Sequence, residues 1–169
     1  MDKLLSLSLA MLITAVVPVH ADTSAATDET KAELKITVHK SPSCGCCKVW
    51  IEHLKLEGFV VEALNSDDMN AVKTERGVPR SLASCHTAVI DGYTVEGHVP
   101  ADDIKRLVAE KPDAKGLAVP GMPIGSPGME IGDRIDPYDV ILFGDAALRV
   151  YASYGSEQQA HEDHSGHEH

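Results

Sequence analysis

Leu34-Lys35-Ile36-Thr37-Val38-His39 alternates apolar and polar residues, Ser41-Pro42-Ser43 interrupts it, and Cys44-Gly45-Cys46-Cys47 follows at once. The first run has a period of two, that of a half-buried strand. From Cys46 to Glu57 the period lengthens: Val49, Trp50, His53, Leu54 and Leu56 recur at helical spacing, and Gly58 stands where a helix terminates. Phe59-Val60-Val61-Glu62-Ala63-Leu64 reads as a second strand. Strand, short helix and strand make a βαβ unit, with parallel strands and a right-handed crossover.

Working outward, Asp67 to Arg76 predicts a second helix, capped by Asn65 or Ser66 and stopped by Gly77-Val78-Pro79. Thr87-Ala88-Val89-Ile90 is a third strand, Asp91-Gly92 a hairpin turn, and Tyr93 to Val99 the return strand. Pro100 opens a helix that carries Ile104, Leu107 and Val108 on one face. The order β-α-β-α-β-β-α, ending near Lys111, is that of a small α/β sandwich with a mixed sheet. Leu117 to Gly132 mixes Pro and Gly with Leu117, Val119, Met122, Ile124 and Met129. A flexible linker lacks such apolar residues, so an ordered loop lying across the domain is expected. Tyr138 to Phe143 and Leu148 to Tyr154 predict two short strands about a Gly-Asp turn.

Composition bounds the function. The chain has 169 residues, 43% of them hydrophobic and only 4% aromatic, which predicts a single domain with an aliphatic core. Acidic residues outnumber basic ones 26 to 15, for a net charge of −11. Phosphate binding needs clustered Lys and Arg, so nucleic acid is not expected as a partner. Lys3, the apolar run Leu4 to Val17 and the small residues Val19 and Ala21 around His20 read as a secretory signal over residues 1–21, cleaved near Ala21. That run falls short of the ~20 residues a membrane-spanning helix needs. Residues 22–33 read as a flexible leader, 34–154 as the domain, and 155–169, with His161, His164, His167 and His169, as a disordered histidine-rich tail. An exported, periplasmic protein without a membrane segment in its mature form is expected.

Export bears on the four cysteines, because exposed thiols pair in an oxidising compartment. Cys44 and Cys47 have the C-x-x-C spacing of thioredoxin-like proteins, where the amino end of a helix favours the thiolate. The topology agrees with a thioredoxin-like fold. In such folds the loop before the third strand faces the C-x-x-C, and here it carries Cys85 and His86 in Ser84-Cys85-His86-Thr87. Three thiols in one turn and one opposite span too little to wrap a single tetrahedral ion, but thiolates can bridge several soft ions, and Cu(I) is soft. A structural disulfide such as Cys47 to Cys85, with two spare thiols, is the plainer alternative.

Several segments resemble CopG-type copper-resistance proteins: Lys40 through Cys47, Ser84 through Val89 with Asp91-Gly92-Tyr93, Val95 through Ile104, Ala118 through Pro123, and Gly125 through Glu130. The resemblance runs in order from Leu34 to Phe143. It implies an exported thioredoxin-like domain handling copper, with Cys44, Cys46, Cys47 and Cys85 bridging several Cu(I) ions. His86 and His98 are candidate further ligands. So are Met122 and Met129, whose thioethers suit Cu(I) although methionine more often fills cores. On a regular strand His86 would point away from Cys85. His39 and His53 read as structural. Three functions stay open: a Cu(I)-binding protein that sequesters or transfers copper to another periplasmic copper protein; an oxidoreductase using Cys44 and Cys47, with an electron donor; and a disulfide-stabilised adaptor with a metal-scavenging tail.

Overall fold

The structure is a computed structural model that describes residues 33–145 and 147–155. The signal, nearly all of the leader, and the histidine tail beyond Gly155 lie outside the described residues. The elements are β1 (Leu34–Lys40), α1 (Gly45–Leu56), β2 (Phe59–Asn65), α2 (Met69–Glu75), a 3-10 turn (Arg80–Leu82), β3 (His86–Ile90), β4 (Tyr93–Glu96), α3 (Ala101–Glu110), β5 (Gly116–Ala118), β6 (Tyr138–Phe143) and β7 (Arg149–Tyr154). They form one seven-stranded mixed sheet in the order β2-β1-β3-β4-β5-β6-β7. The α/β reading holds, and the first four strands with three α-helices are consistent with a thioredoxin-like arrangement.

The βαβ expectation is met: β1 pairs parallel with β2, Leu34 opposite Phe59 through Lys40 opposite Asn65. β3 runs antiparallel to β1, placing His86 opposite Lys40. Asp91 and Gly92 both take positive φ, 47° and 84°, as a two-residue hairpin between right-twisted strands requires. In that hairpin Thr87 faces Glu96 and Ala88 faces Val95. Alternation then separates two layers. Ile36, Val38, Ala88, Ile90, Val95 and Leu117 bury one face under Trp50 and Leu54 of α1 and Ile104 and Leu107 of α3. Leu82, Ala118 and Phe143 form a smaller cluster with Val78 and Ile141 on the other.

Four local expectations need correction. The burial stripe of α1 is Cys47, Trp50, Ile51 and Leu54, a clean i, i+3, i+4, i+7 set, whereas Val49 and Leu56 are exposed. The cap of α2 is Asp68, whose carboxylate accepts the Ala71 N–H at 2.9 Å, rather than Asn65 or Ser66. The return strand stops at Glu96, because Gly97 turns the chain with φ 73°. A Cβ on Gly97 would lie 2.6 Å from Ser84 Cβ and from the Val119 carbonyl oxygen, so no larger residue fits this turn. Finally, Gly116–Ala118 is strand β5, parallel to β4 and antiparallel to β6, where the sequence suggested the start of a loop. Three residues are too few for a periodic signal, and their partners are distant in sequence. No helix among the described residues is long and apolar enough to cross a membrane.

Beyond β5 the chain is the ordered loop expected. Val119 N–H donates to the Glu96 carbonyl at 2.9 Å, and Asp136 N–H to the Ile124 carbonyl at 2.9 Å. The Ser84 hydroxyl donates to the Gly121 carbonyl. Gly128, with φ 84°, lies so close to α1 that a Cβ there would sit 2.8 Å from Trp50 N and 3.0 Å from the Cys46 carbonyl oxygen. The loop therefore packs onto the first turn of the helix that carries the cysteines.

Candidate metal centre

Register brings the carboxyl ends of β1 and β4, the amino end of β3 and the amino end of α1 to the same end of the sheet. Ser41-Pro42-Ser43 ends β1, and a turn closed by Cys44 N–H on the Ser41 carbonyl (3.2 Å) delivers the chain into α1. Cys44 is the cap residue, yet no side chain caps the helix, and its first turn holds no acid. The partial positive charge of the helix end thus faces sulfur.

The sulfurs of Cys44, Cys46, Cys47 and Cys85 lie within 4.8 Å of one another. Cys47 is buried, and the other three are half-buried. Cys46 Sγ is 3.4 Å from Cys44 Sγ and 3.8 Å from Cys85 Sγ. Cys44 and Cys47 are joined as a disulfide, whereas Cys46 and Cys85 are free. The Cys47 to Cys85 pairing considered from sequence does not form; the C-x-x-C pair forms instead. Burial, reinforced by neighbouring Cys46, pushes the Cys85 thiol up to about 12.

Both histidines reach the site. Cys85 sits in a bend ahead of β3, so strand alternation does not apply to it and His86, and His86 Nδ1 lies 3.2 Å from Cys85 Sγ. His98 swings in just past the Gly97 turn, with Nε2 3.0 Å from the same sulfur. Cys85, His86 and His98 form a second donor group, also within 4.8 Å, that shares Cys85 with the first. Burial lowers the pKa of His86, and His98 and Lys73 lower it further; burial also lowers that of His98, partly opposed by the Pro127 carbonyl and Glu130. Both rings are therefore neutral near pH 7, the form that ligates metals. Trp50 closes the floor. Its indole is 4.2 Å from the His86 ring, and its Nε1–H donates to the Val99 carbonyl at 2.9 Å.

The methionines are less committed. Met129 is half-buried directly after Gly128, at the edge of the cysteine turn, while Met122 is exposed at 52%. His39 and His53 are half-buried and stand outside both donor groups.

One feature escaped the sequence. Glu96 is fully buried and accepts from Lys73 Nζ at 2.6 Å, Ser84 N–H at 2.6 Å and the Thr87 hydroxyl at 2.7 Å. Lys73 Nζ also donates to Thr87 Oγ1 at 3.1 Å. The network ties α2 to the sheet and anchors Ser84, the residue before Cys85. The available signal was Thr94 and Glu96 sharing the strand face opposite Val95.

Comparisons place this centre in context. Residues 82–129, which span Cys85, His86 and His98, match a family model described as a protein of unknown function, DUF411. No curated protein matches the chain. Two solved structures, each described as copper resistance protein CopG (Form 1 and Form 2), are 54% identical to it. Each aligns with a TM-score of 0.70 and covers 73% of this chain and 99% of its own. This similarity shows that the chain, which carries a cysteine cluster whose four sulfurs are grouped closely enough to hold metal, belongs to the CopG family of copper-resistance proteins.

Proposed function

We propose that the protein is exported to the periplasm and takes up several Cu(I) ions on Cys44, Cys46, Cys47 and Cys85, to sequester them or pass them to another periplasmic copper protein. The observation that carries this reading is the convergence of four sulfurs within 4.8 Å of one another. The donor chemistry fits the ion. Thiolate suits soft Cu(I), and one sulfur can bridge two ions, so four sulfurs serve several. Without a cation, four thiolates this close repel one another, and Cys85 is a protonated thiol. Copper uptake therefore releases protons. It also needs the Cys44–Cys47 bond reduced, by two electrons and two protons, before all four sulfurs are available.

The test is to load the reduced mature chain anaerobically with Cu(I) and count copper against titratable thiols. Several retained ions with all four thiols protected is the expected result. Little retained copper would overturn it. The Cys46→Ser variant is expected to hold fewer Cu(I) ions while still forming the Cys44–Cys47 disulfide; an unchanged copper count would exclude a bridged centre.

The joined Cys44–Cys47 pair at the amino end of α1 favours a second reading, a copper oxidoreductase. There two thiols and two Cu(II) ions give one disulfide, two Cu(I) ions and two protons. Release of one Cu(I) per thiol consumed, when Cu(II) meets the reduced protein, supports it.

A further inference from the structure

The carboxyl end of β7 lies at the same end of the sheet as the cysteine turn. Glu96 of β4 pairs with Ala118 of β5, Ala118 with Ile141 of β6, and Tyr138 at the start of β6 with Tyr154 at the end of β7. Gly155 then lies against the loop that packs on the cysteine helix. A Cβ on Gly155 would sit 2.8 Å from Ile135 Cγ2, one on Gly125 would sit 2.9 Å from Ile135 Cα, and Gly128 of the same loop abuts Cys46. The charge of Glu130 acts on both Tyr138 and His98, so one carboxylate stands near both the start of β6 and the donor groups. β7 is the third strand beyond β4. At the usual strand spacing Gly155 and His98 are therefore about 14 Å apart across the sheet.

The four tail histidines lie outside the described residues, but the point that tethers them does not. His161 and His169 follow Gly155 by six and fourteen residues. A polar tether of that length has a root-mean-square span of about 13–21 Å. Delivery along a tether is most efficient when its span matches the gap. Glu157, Glu162, Asp163 and Glu168 accompany the histidines, and no Lys or Arg follows Gly155, so the segment draws cations. Imidazole ligates copper, but thiolate is the softer donor and holds Cu(I) more firmly. Resting on the reading of the four sulfurs as a Cu(I) centre, we propose that His161, His164, His167 and His169 form a capture site that passes Cu(I) in cis to the cysteines. In the transfer, copper–nitrogen bonds break and copper–sulfur bonds form. The thiol protons leave to water. Copper stays Cu(I) throughout, so no electron donor or acceptor takes part.

The test uses the full mature chain, reduced and anaerobic, with limiting Cu(I) supplied from a weak chelator. Loading of sulfur is read as growth of the ultraviolet thiolate-to-Cu(I) charge-transfer band, which imidazole ligation does not produce. The quadruple variant His161→Gln/His164→Gln/His167→Gln/His169→Gln is expected to reach the wild-type Cu(I) count, but about tenfold more slowly, because the high effective concentration of a tethered donor is lost. An equimolar synthetic peptide of residues 156–169 should not restore the rate. Equal rates in variant and wild type overturn the proposal, as does full rescue by the free peptide. The wild-type chain supplies a check that needs no variant. Its tail histidine proton resonances should stay in place until the sulfur band saturates and shift only beyond it. Shifts from the first equivalent would mean that the tail keeps its copper, and overturn the transfer. Full Cu(I) counts with equal rates sink the transfer alone. Little sulfur-bound Cu(I) in either chain sinks the four-sulfur reading, and the transfer with it.

Discussion

Replacing Glu96 with Gln is expected to lower folding stability by about 3–5 kcal/mol, the usual cost of removing one partner of a buried ion pair. Set against a total of about 5–15 kcal/mol for a domain, this is a large single-residue effect. An amide can keep the Ser84 N–H on its oxygen, but it brings no charge to Lys73, whose side chain is only 11% exposed. Urea denaturation followed by circular dichroism should show the midpoint falling by about 2 M, for a slope of about 2 kcal/mol per M. The double variant Lys73→Met/Glu96→Gln should lose much less than the two single losses added, because no charge is then left unpaired. Additive losses would mean that the pair is not coupled as its 2.6 Å separation implies.

Replacing Cys85 with Ser is expected to remove more bound copper than replacing any other cysteine. Cys85 alone belongs to both donor groups. It is also the one cysteine outside the first turn of α1, so its loss leaves the remaining sulfurs on one side of any ion. Anaerobic Cu(I) titration against a competing chelator should show fewer ions and at least about tenfold weaker binding. Serine preserves volume, so the far-ultraviolet spectrum should be unchanged. Equal copper retention in Cys85→Ser and wild type would place the ions on Cys44, Cys46 and Cys47 alone.

The sequence made β1, α1, β2 and the β3–β4 hairpin readable because each follows a local rule: alternation in Leu34 to His39, helical spacing through Trp50 and Leu54, and Asp91-Gly92 at the turn. The cysteine turn was readable for the same reason, since three of its members are adjacent. Cys85 lies 39 residues from Cys46 and could be assigned only through the fold. Features set by distant partners stayed hidden. β5 is three residues whose neighbours are Thr94 to Glu96 and Ile141 to Phe143. Glu96 reads as a solvated charge until Lys73 is placed beside it. Strand alternation would direct His86 away from Cys85, and the bend at Cys85 supplies the irregular backbone that lets it approach. Which cysteines join was also beyond the sequence, because three pairings are possible.

Trp50 is the single tryptophan of the chain, and its ring is stacked at a tilt 4.2 Å from that of His86. The centre thus carries its own optical reporter. Tryptophan emission originates beside the candidate ligands, so copper arriving there should quench it. Label-free fluorescence can therefore follow filling, emptying and partner-driven transfer in real time, on the native sequence and with no substitution near the sulfurs.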